Sequence, residues 1–323
     1  MSLLTSTVGS FPKPKDLVRA RRLYAEGEID SAALEEAGDR ATREVLALQQ
    51  SLGIDLLVDG EMDRGDMTTF FAERLDGMEV SGLVRSYGNR YYRKPRIVGD
   101  VRRDGAMTVE RFRFASGLAR KPVKAILTGP YTLMDWSFDE HYPSREAAAM
   151  ALAEVVRQEV EDLTRAGASD IQIDEPAVSA RPDEVGLAAR ALDRVTSSVR
   201  GKARTWAHVC YGEFGPVLEA MLRLPVDGLL LELSNSGFDS IEAIGRLLPE
   251  DKILGAGVVD SHSHVVEPVA TVRERIERVL EHVPAERVFV NPDCGLKTRT
   301  LEEARGKLEA MVAAVREIRG QLP

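Results

Sequence analysis

Eight short apolar segments, each followed by a stretch with helical periodicity, constrain the fold of this chain more than any other feature. The segments are rich in Val, Ile and Leu and do not alternate with polar residues, which is typical of strands buried on both faces of a parallel sheet. They span residues 6–10, 55–61, 124–130, 170–176, 204–210, 228–234, 252–260 and 287–294. Eight strand-then-helix units in one chain predict an α/β fold, a (β/α)8 TIM barrel.

An insertion is expected between the second and third strands. The chain has 323 residues, whereas a typical barrel needs about 250. Residues 82–123 lack helical periodicity and predict β-hairpin structure, including the segment MTVERFRFA. We expect residues 1–323 to form a single catalytic barrel that carries 82–123 as a basic β-hairpin insertion.

The insertion is basic although the protein is acidic. Between Arg85 and Lys121 there are eleven Lys or Arg and three acidic residues, against a net charge of -9 for the whole chain. This patch is compatible with a site for an anionic ligand and equally with a solvated hairpin surface. The overall charge argues against general binding to nucleic acid or to anionic membranes.

The termini and the cysteines indicate a cytoplasmic protein. No apolar run approaches the roughly 18 residues of a membrane helix, and the N-terminal segment lacks the basic and apolar regions of a signal peptide. The two cysteines, Cys210 and Cys294, cannot form a disulfide framework. We therefore expect them to serve packing or chemistry.

Polar and sulfur-containing residues gather at the ends of the predicted strands. In a (β/α)8 barrel the active site lies at the carboxyl ends of the strands. The residues at those ends are Ser10, Asp59, Glu61, Asp174, Glu175, His208, Cys210, Glu232, Asp260, His262, Asp293 and Cys294. We interpret this rim as the active site.

Four of these residues form a set typical of zinc. His208 and Cys210 are two apart on one strand, so their side chains share a face, while Glu232 and Cys294 end two other strands. Two thiolates, an imidazole and a carboxylate suit zinc, although ordinary core residues are the alternative for each taken alone. Such an anionic set activates water weakly. It can instead bind another thiol as a nucleophilic thiolate, which predicts alkylation of a substrate thiol.

The sequence resembles the C-terminal catalytic half of cobalamin-independent methionine synthase over nearly its whole length. That family uses zinc on a (β/α)8 barrel to methylate homocysteine to methionine. The matching segments are TVGSFP (7–12), DGEMDRGDMTTFF (59–71), SYGNR (86–90), LTGPYT (127–132), WSF (136–138), QIDEPA (172–177), HVCYG (208–212), VDSHS (259–263) and NPDCGLKTR (291–299).

The resemblance implies a role for each matched site residue. His208, Cys210, Glu232 and Cys294 would be the zinc ligands. Val8 and Ser10 would hold the homocysteine carboxylate, and Glu61 and Asp174 would pair with its ammonium group. His262 would donate or relay a proton, with His264 a weaker candidate. Arg90, Tyr91 and Trp136 would contact the methyl donor.

Two departures from the family bear on that donor. Long family members carry an additional N-terminal barrel that helps to bind the folate tail, and Ala180 stands where the family usually has a glutamate near the pterin. Both differences weaken the assignment of 5-methyltetrahydrofolate. They favour, by a small margin, methylcobalamin or a methylated corrinoid protein, for which His262 would matter less.

Three other functions fit parts of the pattern. A zinc barrel could alkylate a different thiol such as coenzyme M, although coenzyme M has no ammonium group for Glu61 and Asp174. A non-catalytic barrel could bind zinc or methionine, although all four ligands are present. His262-Ser263-His264 would suit a zinc hydrolase, although the thiolate-rich set disfavours activation of water.

Overall fold

Short parallel strands form the centre of the chain in a computed structural model, which describes residues 3–85, 91–210 and 215–321. In chain order the strands are β1 Leu4–Thr5, β2 Asp76–Arg85, β3 Tyr91–Arg102, β4 Ala125–Thr128, β5 Phe138–Asp139, β6 Asp170–Asp174, β7 Arg204–Val209, β8 Gly228–Leu231, β9 Ile253–Val259 and β10 Val288–Pro292. Seven of them form one sheet in the order β1-β10-β9-β8-β7-β6-β4, with every pair parallel.

Residues 56 and 57 link the two ends of this sheet. Leu56 pairs with Ser6 beside β1, and Leu57 pairs with Val123 beside β4. The sheet is thereby completed by an eighth, very short strand, and its apolar side chains are buried. This arrangement confirms the predicted (β/α)8 barrel.

The first two strands differ from their predicted positions. The first is Leu4–Thr5, and Ser6 N still donates to the Val290 carbonyl. The chain then leaves the ladder, because the Val8 carbonyl accepts from Gln172 Nε2 at 2.6 Å and the Ser10 carbonyl accepts from Leu296 N at 2.6 Å. The second is cut short because Gly60 and Glu61 adopt φ of 74° and 55°, in the left-handed region that turns the chain.

Helices follow the strands around the barrel. They are α1 Lys15–Ala25, α2 Ser31–Leu52, α3 Thr69–Ala72, α4 Val109–Leu118, α5 Pro130–Asp135, α6 Arg145–Arg165, α7 Val185–Thr196, α8 Leu218–Leu222, α9 Ile241–Leu247, α10 Val269–Leu280 and α11 Leu301–Arg319. Thr300 and Glu303 form a capping box at the start of α11, since each side chain accepts a hydrogen bond from the backbone N–H of the other. Among the described residues, no helix has the length and apolar character needed to cross a membrane.

The insertion contains a hairpin and a helix. Strands β2 and β3 pair antiparallel, and β5 adds a parallel edge. The prediction that MTVERFRFA is β structure is wrong, because residues 109–118 form α4. The reason lies far away in the sequence: the buried Glu159 carboxylate of α6 accepts from Met107 N and Thr108 N and so caps the start of α4.

Several basic residues of the insertion have acidic partners elsewhere. Arg96 Nε lies 2.9 Å from Glu140, and Arg111 lies 2.6 Å from Asp39 of α2. Arg103 pairs with Glu159. These ion pairs attach the insertion to neighbouring elements. These three arginines of the basic patch therefore have a structural role.

We expect Gly129→Ala to destabilise the barrel strongly. A Cβ at residue 129 would lie 2.1 Å from the Glu175 carboxyl carbon, and that buried carboxylate accepts from Tyr131 N and Thr132 N at the start of α5. The overpacking should cost about 2–3 kcal/mol in the free energy of unfolding, measured with denaturant. Gly117→Ala, in α4 with open space around its Cβ, is the control and should be neutral or slightly stabilising. Equal effects would contradict the proposed clash.

Candidate active site

A cavity of about 190 Å³ lies at the carboxyl ends of the barrel strands. The predicted site residues that line it are Val8, Ser10, Glu61, Trp136, Asp174, His208, Cys210, His262 and Cys294. Because parallel strands of a barrel end on a common rim, residues from distant parts of the sequence meet here. A larger groove of about 510 Å³ runs along α2, but it contains none of these residues.

Three side chains at one side of the cavity can hold a metal ion. His208 is on β7, Cys210 follows it, and Cys294 follows β10; their ligand atoms all lie within 4.8 Å of one another, with the two sulfurs 3.8 Å apart. His208 Nδ1 lies 3.1 Å from the Leu230 carbonyl. Its Nε2 is buried and has no oxygen or nitrogen partner among the described residues. An imidazole nitrogen and two thiols in this arrangement fit a soft metal ion.

The two thiols share their charge unequally. Their mutual hydrogen bond holds the pKa of Cys294 well below its usual range and raises that of Cys210. One thiolate is therefore already favoured at this site, and thiolates are the form that ligates metals.

Glu232 lies beside this cluster but outside it. It follows β8, is buried, and accepts from Asn235 Nδ2 at 2.5 Å. His262 Nε2 is 3.4 Å from its other oxygen, and this contact is the main reason why the pKa of His262 is raised. The structure thus brings together three of the four predicted metal ligands and places the fourth against His262.

Glu61 enters the cavity from an unusual backbone conformation. Its φ of 55° is in the left-handed region, which costs free energy for a residue other than glycine. The turn is supported by the Lys13 ammonium group, which donates to the carbonyls of Gly60 and Glu61. Gly9 leaves room for the carboxylate, since a Cβ there would lie 2.5 Å from Glu61 Oε1. Burial raises the pKa of Glu61 to about 7 against the opposing charge of Arg64.

Asp174 is held by an interaction that spans the barrel. Gln172 Nε2 donates to Asp174 Oδ1 at 2.6 Å and to the Val8 carbonyl at 2.6 Å. One buried amide therefore fixes both an acidic side chain and the segment predicted to hold the substrate carboxylate. Burial raises the pKa of Asp174.

Ser10 is packed against the segment that follows Cys294. The site of a Cβ at Gly295 is 2.1 Å from Ser10 Oγ, so only glycine leaves space for the hydroxyl. The Ser10 carbonyl also accepts from Leu296 N. The predicted metal ligand Cys294 and the predicted substrate residue Ser10 are consequently fixed relative to each other.

The residues predicted to contact the donor are only partly described. Trp136 follows α5 and lines the cavity. Arg90 lies outside the described residues, and the description of Tyr91 covers only its backbone in β3. His264 is exposed and lies 2.9 Å from Glu303, away from the cavity lining.

A comparison with protein families assigns the chain to a family. Residues 3–317 match the model described as the catalytic domain of cobalamin-independent synthase. The chain belongs to this family.

Two curated relatives are identical to the chain at more than a third of the aligned positions. A 5-methyltetrahydropteroyltriglutamate–homocysteine methyltransferase from Coxiella burnetii is 38% identical over 98% of the chain. Another with the same name, from Thermotoga petrophila, is 39% identical over 98% of the chain. The chain spans only 42% and 44% of the lengths of these two proteins.

Solved structures agree with the family assignment. A B12-independent methionine synthase from Shewanella sp. W3-18-1, solved with selenomethionine, superimposes with a TM-score of 0.88 at 28% identity and covers 99% of both chains. A protein from Listeria monocytogenes described as a putative vitamin-B12-independent methionine synthase superimposes at 0.79 with 22% identity, covering 97% of this chain and 96% of its own, and so supports the fold.

The small preference for a corrinoid donor conflicts with these comparisons. The family is described as cobalamin-independent, and the named relatives are tetrahydropteroyl enzymes. The preference depended partly on Ala180, which is exposed at the end of a 3-10 helix, Pro176–Ala180. The loss of one exposed side chain is weak evidence for a change of donor class.

The sequence analysis did not identify Gln172 and Arg64, two residues that contact the groups lining the cavity. Gln172 lies two positions before Asp174 within the recognised QIDEPA segment, so its same-face position on β6 could have suggested a role. Arg64 is 5% exposed and is surrounded by acidic groups that include Glu61 and Asp174. No local sequence pattern indicates that Arg64 is buried.

Proposed function

We propose that this chain transfers a methyl group from a 5-methyltetrahydropteroyl donor to the thiol of homocysteine, giving methionine. The observation that carries the proposal is that two partly buried carboxylates, Glu61 and Asp174, line the same cavity as the cluster of His208, Cys210 and Cys294. A thiol-binding group and ammonium-binding groups in one cavity match the two ends of homocysteine. The names of the curated relatives support the same reaction.

The metal in this proposal is zinc, held by His208, Cys210 and Cys294 with Glu232 as the fourth ligand. When bound, zinc would keep the substrate thiol deprotonated and nucleophilic at neutral pH. The buried Nε2 of His208, which has no oxygen or nitrogen partner within the described part of the chain, and the two adjacent sulfurs provide a suitable donor set. Glu232 follows β8, which pairs with the β7 strand of His208, and would complete it.

The remaining groups orient the substrate and the proton. Glu61 and Asp174 would pair with the ammonium group, while Ser10 and the backbone near Val8 would receive the carboxylate. In the reaction the methyl carbon–nitrogen bond of the donor breaks, a carbon–sulfur bond forms, and the departing nitrogen takes a proton. His262 lines the same cavity and would supply that proton.

The test is methionine formation by zinc-loaded protein from homocysteine and 5-methyltetrahydrofolate, as mono- and triglutamate. Parallel reactions would offer coenzyme M as acceptor or methylcobalamin as donor, and metal analysis would measure bound zinc. We expect turnover with homocysteine and folate, and about one zinc per chain. Zinc-loaded protein that turns over only coenzyme M, or only methylcobalamin, would contradict the proposed acceptor or donor respectively.

We expect the binding of the product methionine to weaken as the pH falls from about 8 to about 6. Because burial raises the pKa of Glu61 to about 7, this group is mostly protonated below that pH and loses its attraction for an ammonium group. The dissociation constant, measured by calorimetry, should rise by up to about tenfold per pH unit below the pKa. Glu61→Gln should remove most of this dependence. A flat profile for the wild type would contradict the assignment.

A further inference from the structure

The carboxylate of Asp293 is enclosed by the loop that carries Glu232. Asp293 follows β10 and is fully buried. Its Oδ1 accepts from Leu233 N at 3.0 Å and from Ser234 N at 2.9 Å, and its Oδ2 accepts from Asn235 N at 2.9 Å. Three successive backbone N–H groups therefore converge on one carboxylate.

This contact connects two predicted metal ligands from different strands. Asp293 directly precedes Cys294 in the chain, and Leu233 directly follows Glu232. Asn235, whose N–H binds Asp293, also donates from its side-chain Nδ2 to Glu232 Oε1 at 2.5 Å. Asn235 alone thus links the Asp293 carboxylate to the Glu232 carboxylate through hydrogen bonds.

The space for this carboxylate is built into the neighbouring strand. A Cβ at Gly257 of β9 would lie 2.3 Å from Asp293 Oδ1 and 2.8 Å from its Cα. Ser234 Oγ donates to the Gly257 carbonyl at 3.1 Å. The strands β8, β9 and β10 therefore meet around Asp293, and the loop after β8 has little freedom to move without breaking several hydrogen bonds at once.

We propose that Asp293 is a positioning residue that holds the loop after β8, and through Asn235 holds Glu232, in place for metal binding. The inference depends on the metal site proposed above. Asp293 does not itself enter the cluster of ligand atoms. Outer partners that orient metal ligands typically change metal affinity by 10- to 100-fold, which sets the size of the expected effect.

The decisive variant is Asp293→Asn, which keeps the shape of the side chain. An amide has one acceptor oxygen, so it cannot accept from all three N–H groups, and its NH2 would face at least one of them. We expect the zinc dissociation constant, measured by competition with a chelator below the unfolding temperature, to rise by about 10- to 100-fold. Circular dichroism would verify the fold.

Asp170→Asn is the matched control. Asp170 is also buried, but it lies at the opposite end of the barrel, where it accepts from Arg204 Nε at 2.7 Å and Trp206 Nε1 at 3.0 Å. The same substitution there makes the same chemical change and should cost stability without changing zinc affinity. A general loss of stability would affect both variants alike.

A double-mutant cycle separates positioning of Glu232 from other effects. If Asp293 acts through Glu232, then Asp293→Asn should change zinc affinity far less in a Glu232→Ala background than in the wild type. Equal changes in both backgrounds, or an unchanged affinity of folded Asp293→Asn protein, would overturn the inference.

Asn235→Ala serves as a second variant that changes no charge and removes only the side-chain contact with Glu232. It should weaken zinc binding in the same direction, by up to about tenfold, and it decides the matter if Asp293→Asn does not fold. An unchanged affinity would then overturn the inference. Wild-type protein that binds no zinc would instead refute the metal site, a result distinct from failure of the positioning role.

Discussion

Replacing Cys294 with serine is expected to abolish zinc binding and methyl transfer while the barrel stays folded. The serine hydroxyl is a harder and far weaker acid than a thiol, so it does not replace a thiolate ligand. The loss of affinity should exceed the roughly 100-fold that loss of an outer partner costs, and turnover should fall by at least about 1,000-fold. Metal analysis and single-turnover assays would measure both.

The fold should survive because Cys294 lies at the rim, beyond the end of β10. Its contacts are with Cys210 and the cavity rather than with the apolar core of the barrel. Val265→Ser is a suitable control, since Val265 is exposed near the same rim and should retain zinc. An unfolded Cys294→Ser protein would show that this cysteine is structural, and a variant that retains zinc and activity would contradict its role as a ligand.

The sequence was sufficient to predict the residues around the cavity because a repeating fold fixes where strand ends meet. Once eight strand-then-helix units are recognised, Glu61, Asp174 and His208 must share a rim, however far apart they are in the chain. The start of α11 could also be predicted, because its capping box involves residues only three positions apart. Both inferences depend on local patterns or on symmetry.

Contacts between residues far apart in the sequence could not be predicted from local patterns or from the symmetry of the barrel. Gln172 and Val8 are 164 residues apart, and no local pattern indicates that they touch. Helix α4 was missed for the same reason, since its cap comes from Glu159 on α6. The second strand is shorter than its apolar run because Glu61 adopts a positive φ, which the identity of a glutamate does not suggest.

Replacing Glu61 with glutamine is expected to impair recognition of homocysteine rather than of the methyl donor. The amide keeps the size of the side chain but removes the charge that pairs with the ammonium group. Loss of one partner in a buried charge pair costs about 3 kcal/mol, which corresponds to roughly a 100-fold rise in KM for homocysteine. The KM for the folate donor should change little. The measurement should be made above about pH 7, where the wild-type carboxylate is ionised.

Glu175→Gln is the matched control for this prediction. Glu175 is also buried, and burial raises its pKa to about 7 as well, but its oxygens bind the backbone at the start of α5. We expect it to cost stability without changing the preference for homocysteine over its deamino analogue, whereas Glu61→Gln should largely remove that preference. Since the analogue lacks only the ammonium group, an unchanged preference in Glu61→Gln would show that Glu61 does not bind it. The ammonium pairing would then fall to Asp174 alone, and the left-handed turn at Glu61 would need another explanation.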